Sequence, residues 1–335
     1  YGLNKRPKWL NVKKSTIGTI LIFIIGFVLI VWPVYYLFTF NYPPERQLAD
    51  TEQILGSFGN KTLVGLNVWM ADKPVIRALG QYMLGLLMVG QRAVGGNTVY
   101  FLGEVSSEGW KHYFPVVYAL KEPLPWLVLL MFSLLFLAWQ VRLGKLKFQI
   151  TNFIKNHFVE FAMILWVAIY WATSIKSNLN IGVRHLLPTN PFAIILVSGQ
   201  LARLKHKFKY FAGIVVLILA WYVVENIKAW PHYLSYFNQL SFLRPSWATE
   251  GQAGGGYLYV VDSNLDWGQD LKRLSDWVEE NDVKEIHLDY FGWSDPAYYL
   301  GPKFKWLTTG QYKNKEDFIE KTGGGYLAVS ATFFM

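Results

Sequence analysis

The chain has 335 residues, of which 53% are hydrophobic and 16% are charged, where an ordinary soluble domain carries about 25% charged. The net charge is +9, but the basic residues sit in short tracts beside long apolar runs, so membrane topology accounts for them and nucleic acid is excluded as a partner. The lack of cysteine excludes disulfides and thiolate metal sites and leaves the redox compartment open.

The first apolar run, Thr16–Phe40, is long enough to cross about 30 Å of hydrocarbon as a helix. It is too long for the apolar core of a signal peptide, and no cleavage site follows it. Lys5, Arg6, Lys8, Lys13 and Lys14 precede it and place the N-terminus in the cytoplasm. Pro33 lies inside the run as a candidate kink. Residues 41–123 then form a long loop. Asn60-Lys61-Thr62 within it fits an N-glycosylation sequon. Pro74–Val94 predicts a helix with an apolar face formed by Val75, Ile76, Leu79, Met83, Leu86 and Leu87. Its polar positions, Arg77, Gln81, Gln91 and Arg92, suit a helix lying in the interface plane. A further span is the alternative, and Gly85, Gly90 and Arg77 weigh against it.

Four more spans are expected, at about Leu124–Val141, Phe158–Ile175, Pro191–Leu204 and Tyr210–Val224. Arg142, Lys145, Lys147 and Lys155 follow the second span. Arg203, Lys205, Lys207 and Lys209 lie at the end of the fourth, which is short. Alternating directions put all three basic tracts on the cytoplasmic side. Residues 41–123, 176–190 and 225–335 then face away from the cytoplasm, where no pool of nucleotide sugars or ATP is expected.

The tail has a different texture. Tyr257–Val261, Glu285–Phe291 and Tyr326–Ser330 predict strands, and Leu265–Asn281 a helix. That order suggests a small α/β layer domain with parallel pairing. The expected fold class is a polytopic α-helical membrane protein with about five transmembrane helices. Residues 1–228 form its membrane part and 229–335 an extracytoplasmic α/β domain. With no initiator Met, and with the apolar stretch Tyr326–Met335 at its end, the chain is expected to be cut at both ends.

Several polar groups are candidates for chemistry. Arg184 and His185 follow the third span, and ionisable residues at a membrane boundary are costly and often functional. An Arg there can hold a phosphate by a bidentate fork, or it can snorkel to lipid headgroups as an ordinary interfacial residue. The segment 103–115 is dense in carboxylates and aromatics, which suits sugar recognition or an aromatic belt. The run Asp262–Asp270 resembles a calcium loop at first. Trp267 stands where the turn needs Gly, and Arg273 where the closing Glu belongs, so no metal site is expected there. Helix capping by Asn264 or Ser263, with Asp266 complementing the helix dipole, is the plainer account. A ligand-binding strand-to-helix turn is the other. No nucleophile elbow, HExxH or phosphate-binding loop is present.

Three ordered stretches carry a family resemblance. They are YFLGEVSSEGWKHYFPVVYALKEPLP (100–125), GVRHLLPTNPF (182–192), and YFNQ (236–239) with VDSNLDWGQDL (261–271) and YFGWSDPAYYLG (290–301). Together they resemble the C-terminal half of GT-C class membrane glycosyltransferases of the protein O-mannosyltransferase-like type. The resemblance implies transfer of a sugar from a polyprenyl-phosphate donor to a protein, lipid or glycan acceptor, in the cell envelope of a prokaryote. The family's acidic catalytic residue is then expected upstream of Tyr1, so this chain alone is expected to lack it. The resemblance gives the donor phosphate to Arg184 and His185, and the substrate cavity to Glu104, Lys111 and His112. It gives acceptor or domain contacts to Asp262, Asn264, Asp266 and Trp267. It requires no cofactor and leaves a divalent cation open. Two other classes compete. A transporter needs charges or breaks at mid-span, and the spans hold few beyond Pro33 and Glu160. A non-catalytic scaffold would have 230–335 fold and bind a partner alone.

Overall fold

The computed structural model describes residues 12–142, 150–207, 210–248 and 254–335. Lys5, Arg6, Lys8, Lys145, Lys147 and Lys209, expected to set the topology, lie outside the described residues. The chain forms two compact units, Tyr1–Val94 and Gly95–Met335. The expected boundary near residue 228 falls inside the second.

In the first unit, α1 (Val12–Gly26) and α2 (Trp32–Thr39) are joined through a π-helical turn, Phe27–Val31. Pro33 lies in the first turn of α2 and has no N–H to offer the preceding turn. The backbone widens just ahead of it, as π-bulges do where the hydrogen-bond ladder is interrupted. Residues Thr16–Thr39 remain one apolar helical stretch with mean hydropathy 2.7. Three helices follow, α3 (Pro44–Leu55), α4 (Lys61–Ala71) and α5 (Arg77–Gly95). Asn60 caps α4, its side chain accepting from Leu63 N at 3.1 Å. α5 starts later than the pattern suggested, because residues 73–76 form a turn. Arg77 is buried rather than an interfacial surface residue. Its guanidinium donates to Thr39 O at 2.8 Å and to Tyr42 O. It thereby satisfies carbonyls at the end of α2 and complements the negative end of that helix dipole.

In the second unit a hairpin of β1 (Val99–Phe101) and β2 (Glu104–Ser106) leads into α6 (Tyr113–Lys121). Four further helices follow, α7 (Leu124–Arg142), α8 (Ile150–Asn156), α9 (Phe158–Lys176) and α10 (Asn190–Lys207), and then α11 (Phe211–Ala229). A 3-10 turn, Val183–Thr189, lies between α9 and α10. Phe101, Phe114, Trp126, Leu186, Val197 and Phe211 build the core that α6, α7, α10 and α11 share.

Three helical stretches are long and apolar enough to cross a membrane: Thr16–Thr39, Phe158–Lys176 and Phe211–Ala229. α6 and α7, bent by 117° at the break between them, make a fourth if counted as one span. The expected span Pro191–Leu204 exists as a helix, but Ser198, Gln200, Arg203, Lys205, His206 and Lys207 dilute its apolar run below that standard. The buried share of the three stretches is only 0%, 6% and 11%, so most of their apolar surface lacks protein cover within the described residues.

The tail forms α12 (Leu271–Glu280), β3 (Ile286–Asp289), α13 (Pro296–Leu300), β4 (Phe304–Trp306), α14 (Lys315–Thr322), β5 (Tyr326–Val329) and α15 (Ala331–Phe334). The sheet order is β4-β3-β5, and both pairings are parallel, as the alternation of elements required. Leu271 and Val278 of α12 pack on Ile286 and Leu288 of β3. The strand expected at Tyr257–Val261 is a 3-10 turn, Gly256–Leu258, with a single bridge from Val260 to Phe101. Its apolar residues are buried under the hairpin, and that burial, not a sheet, explains the run.

Arg77→Ala is expected to lower the unfolding free energy by about 1–3 kcal/mol, since it leaves carbonyls at the end of α2 without their donor. Thermal unfolding in detergent, with Arg77→Lys as partial rescue, measures this.

Candidate functional site

Gly182 opens the 3-10 turn with φ +113, a conformation that L side chains rarely adopt. A Cβ there would meet Ser263 Oγ at 2.5 Å, so the backbone approaches the Asp262–Asn264 turn closely. Ser263 Oγ donates to Ile181 O. Asn264 is 1% exposed and bridges two elements. Its Oδ1 accepts from Val183 N at 2.9 Å, and its Nδ2 donates to Tyr113 Oη of α6, also at 2.9 Å. Ser263 and Asn264 therefore do not cap the following helix. α12 begins at Leu271, seven residues after Asn264, with no side-chain cap at Asp270.

This clasp brings Arg184 against the loop. The guanidinium carbon of Arg184 lies 4.6 Å from the centroid of the Trp267 ring. Trp267 Nε1 donates to Asp262 Oδ1 at 3.0 Å. Asp262 has φ +56, the left-handed region that costs a non-glycine residue energy. Burial raises its carboxyl pKa, while the Trp267 bond and the Arg184 charge act the other way. Arg184 makes no ion pair and no hydrogen bond among the described residues, and its side chain is exposed. The indole contacts the guanidinium without using its N–H donors. His185 follows on the same turn, its ring 6.5 Å from that of Phe114. Burial first, and the Arg184 charge second, lower its pKa, which favours the neutral imidazole.

Asp266 closes a turn rather than facing the N-terminus of α12. Its carboxylate accepts from Gly268 N at 2.9 Å and Ala331 N at 3.2 Å. It fastens this loop to the segment after β5. Lys111 and His112 are exposed just before α6, at the end that carries Tyr113. Glu104 is exposed on β2. No hydrogen bond, ion pair or ring contact ties these three to Arg184 among the described residues. Tyr113 and Phe114 of segment 103–115 are core, and Trp110, His112 and Tyr113 surround the buried ring of Phe101 at 5.0–5.4 Å.

Lys121 was not visible as a site residue in the sequence. Its Nζ donates to Asn264 O at 2.6 Å and to Leu234 O at 2.7 Å, under the ring of Phe237 at 4.3 Å. Its position at the end of α6, beside an apolar run, was the available signal. Asn238 of the YFNQ stretch works similarly, donating to Ala119 O and Glu122 O at 2.6 Å each. An apolar cavity of about 480 Å³ opens between α7, α10 and α11, lined by Trp126, Val197, Leu201, Val215, Leu219 and Tyr222. Among the described residues no group of three or more acidic or histidine side chains could hold a metal ion.

No protein-family model, no curated protein and no solved structure matches this chain.

Two outcomes test the clasp and its acid. Asn264→Ala should cost about 1–3 kcal/mol of unfolding free energy, because two partners lose their bonds in a buried place. Asp262→Asn should raise the thermal midpoint at neutral pH. The folded chain holds this proton more tightly than the unfolded one. The group therefore favours folding at acid pH, and that contribution fades as pH rises through its raised pKa. The two proteins should converge in acid, and a pH series of melting curves reads this directly.

Proposed function

We propose that this chain is the C-terminal part of a GT-C class membrane glycosyltransferase that moves a sugar from a polyprenyl-phosphate donor to an acceptor outside the cytoplasm. In this reading the chain sits in the plasma membrane of a prokaryote, α10 crosses it as a short fifth span beside the four more apolar stretches, and 176–190 and 225–335 lie on the outer side. The acceptor is a protein, lipid or glycan hydroxyl.

One observation carries this reading. The Arg184 guanidinium lies over the Trp267 ring, and none of its N–H groups has a protein acceptor among the described residues. A planar fork in that state suits bidentate capture of a phosphate. In the reaction the bond between the anomeric carbon and the phosphate oxygen breaks, and the acceptor oxygen bonds to that carbon. The hydroxyl proton goes to a carboxylate base, which the family resemblance places N-terminal to Tyr1. The electron pair leaves with the lipid phosphate, and Arg184 stabilises that charge as it develops. A neutral His185 donates or accepts a hydrogen bond there without competing for the anion. The cavity between α7, α10 and α11 offers an apolar place for the isoprenoid chain. Exposed apolar helices fit a lipid-carried donor, and a lipid carrier removes the need for nucleotide sugars on that side.

In the full-length protein in proteoliposomes, Arg184→Ala should lower transfer from a polyprenyl-phosphate sugar by about 10²-fold, mainly in kcat. Its melting curve should be unchanged. Arg184→Lys should recover part of the loss, since a point charge remains without the fork. Transfer at the wild-type rate in Arg184→Ala would remove the phosphate role.

A further inference from the structure

A cleft of about 500 Å³ opens where the segment after α11 meets the end of β5, and the transfer reading leaves it unused. Its volume is that of a small-molecule site. The segment after α11 contributes Phe237 and Phe242, the loop before α12 Asp266 and Asp270, and the chain after β5 Ala331 and Phe334. A smaller cavity of about 260 Å³ shares Asp266, Asp270 and Ala331 with it and reaches Leu288 and Tyr290. The two cavities thus lie at the carboxyl ends of β3 and β5, where open α/β sheets bind their ligands.

The walls are tied down. Asp266 holds Gly268 N and Ala331 N, Asp262 N donates to Thr332 Oγ1 at 3.2 Å, and Ser330 N donates to Asp289 O at 2.9 Å. A Cβ on Gly254 would meet Phe242 O at 2.6 Å, and one on Gly256 would strike the Phe237 ring, so the glycine run backs directly onto the aromatic side. The polar groups share one character. Ser235 Oγ donates to His232 O at 3.3 Å and Ser241 Oγ to Asn238 O at 2.9 Å, so both hydroxyl hydrogens are spent and the oxygens remain as acceptors. Asp266 is matched by its two backbone N–H bonds and Asp270 by its ion pair with Arg273. Neither carboxylate has an unmatched charge to draw a cation, yet each keeps lone pairs. Among the described residues no Lys, Arg or His lines the cleft, so phosphates and other anions find no partner there.

A guest that fits must bring many hydrogen-bond donors, no net charge, and apolar faces for Phe242, Tyr257 and Phe334. A purely apolar guest would leave the acceptors dry and unpaired. We propose that this cleft binds a neutral saccharide, its hydroxyls donating to the serine and aspartate oxygens and its C–H faces lying on the aromatic rings. Asp266 directly precedes Trp267, over which Arg184 lies, so the saccharide is the acceptor glycan of the transfer reaction. The proposal rests on the transferase reading only for that role, and the binding itself does not.

The test uses the whole chain in lipid nanodiscs, with mannotetraose and cellotetraose as probes and calorimetry as readout. At least one should bind. Phe334→Ala should weaken that binding by at least about tenfold, and its melting curve should stay in place because the ring is 59% exposed. Asp270→Ala should weaken it similarly and Asp270→Asn by less, since one carbonyl acceptor remains. The Asp270–Arg273 pair is exposed on both sides, so its loss leaves stability nearly unchanged. Trp306→Ala, on β4 and outside the cleft, should bind like the wild type. The assay contains no donor lipid, so its outcome is independent of the fate of the phosphate reading. If neither tetrasaccharide binds, or if Phe334→Ala or Asp270→Ala binds as the wild type does, the proposal is overturned. Tighter binding of tetragalacturonate, or displacement of the bound saccharide by spermidine, would mark an ionic site and overturn it as well.

Discussion

The side chain of Asn264 is a primary amide with nowhere to find water. Burial at 1% exposure obliges it to pair inside the protein, and the partners it finds belong to the turn after α9 and to α6. A mispaired amide would cost more than a correct one gains, so the arrangement is strongly specified. Gly182 permits the close approach, Ser263 adds a bond to Ile181 O, and Lys121 holds Asn264 from its carbonyl side. Everything proposed for Arg184 depends on this clasp, because it sets the turn that carries Arg184 against the loop in which Asp262 holds the Trp267 ring.

The electrostatics around that ring are unusual for an arginine. Most structural arginines are fixed by carboxylates, which would consume the donors an anion needs. Here the aromatic face does the fixing. The nearby acid, Asp262, is bonded to the indole instead. Its strained backbone and its burial both cost energy that a purely structural acid need not incur. The first unit solves a related problem differently. Arg77 is buried and one of its guanidinium nitrogens donates to Thr39 O at the end of α2 and to Tyr42 O just beyond it, so its charge has a structural task.

Helices and sheet bury their apolar residues to different extents. Thr16–Thr39, Phe158–Lys176 and Phe211–Ala229 leave their apolar surfaces open within the protein, whereas the tail closes its own core between α12 and the sheet. The tail is nonetheless tied to the helices by polar bonds at Asn238, Ser263 and Asn264. Those bonds all lie within the unit Gly95–Met335.

Sequence by itself determined the features set by local rules. Long apolar runs gave helices of spanning length, and alternating elements gave a parallel sheet, because both follow from periodicity and the hand of the crossover. It overstated Pro191–Leu204, where polar residues interrupt the run, and it read Tyr257–Val261 as a strand because burial and strand pairing leave the same apolar signature. It marked Arg184, His185, Asp262, Asn264 and Trp267 as notable residues. Only the tertiary structure decided that Asn264 clasps two elements rather than caps a helix, that Asp266 staples a turn, and that Trp267 lies under Arg184. The Asn264 and Trp267 pairings join residues about 80 positions or more apart. No propensity or spacing rule reaches that far, because such contacts are chosen by which buried polar groups can satisfy one another once the chain has packed.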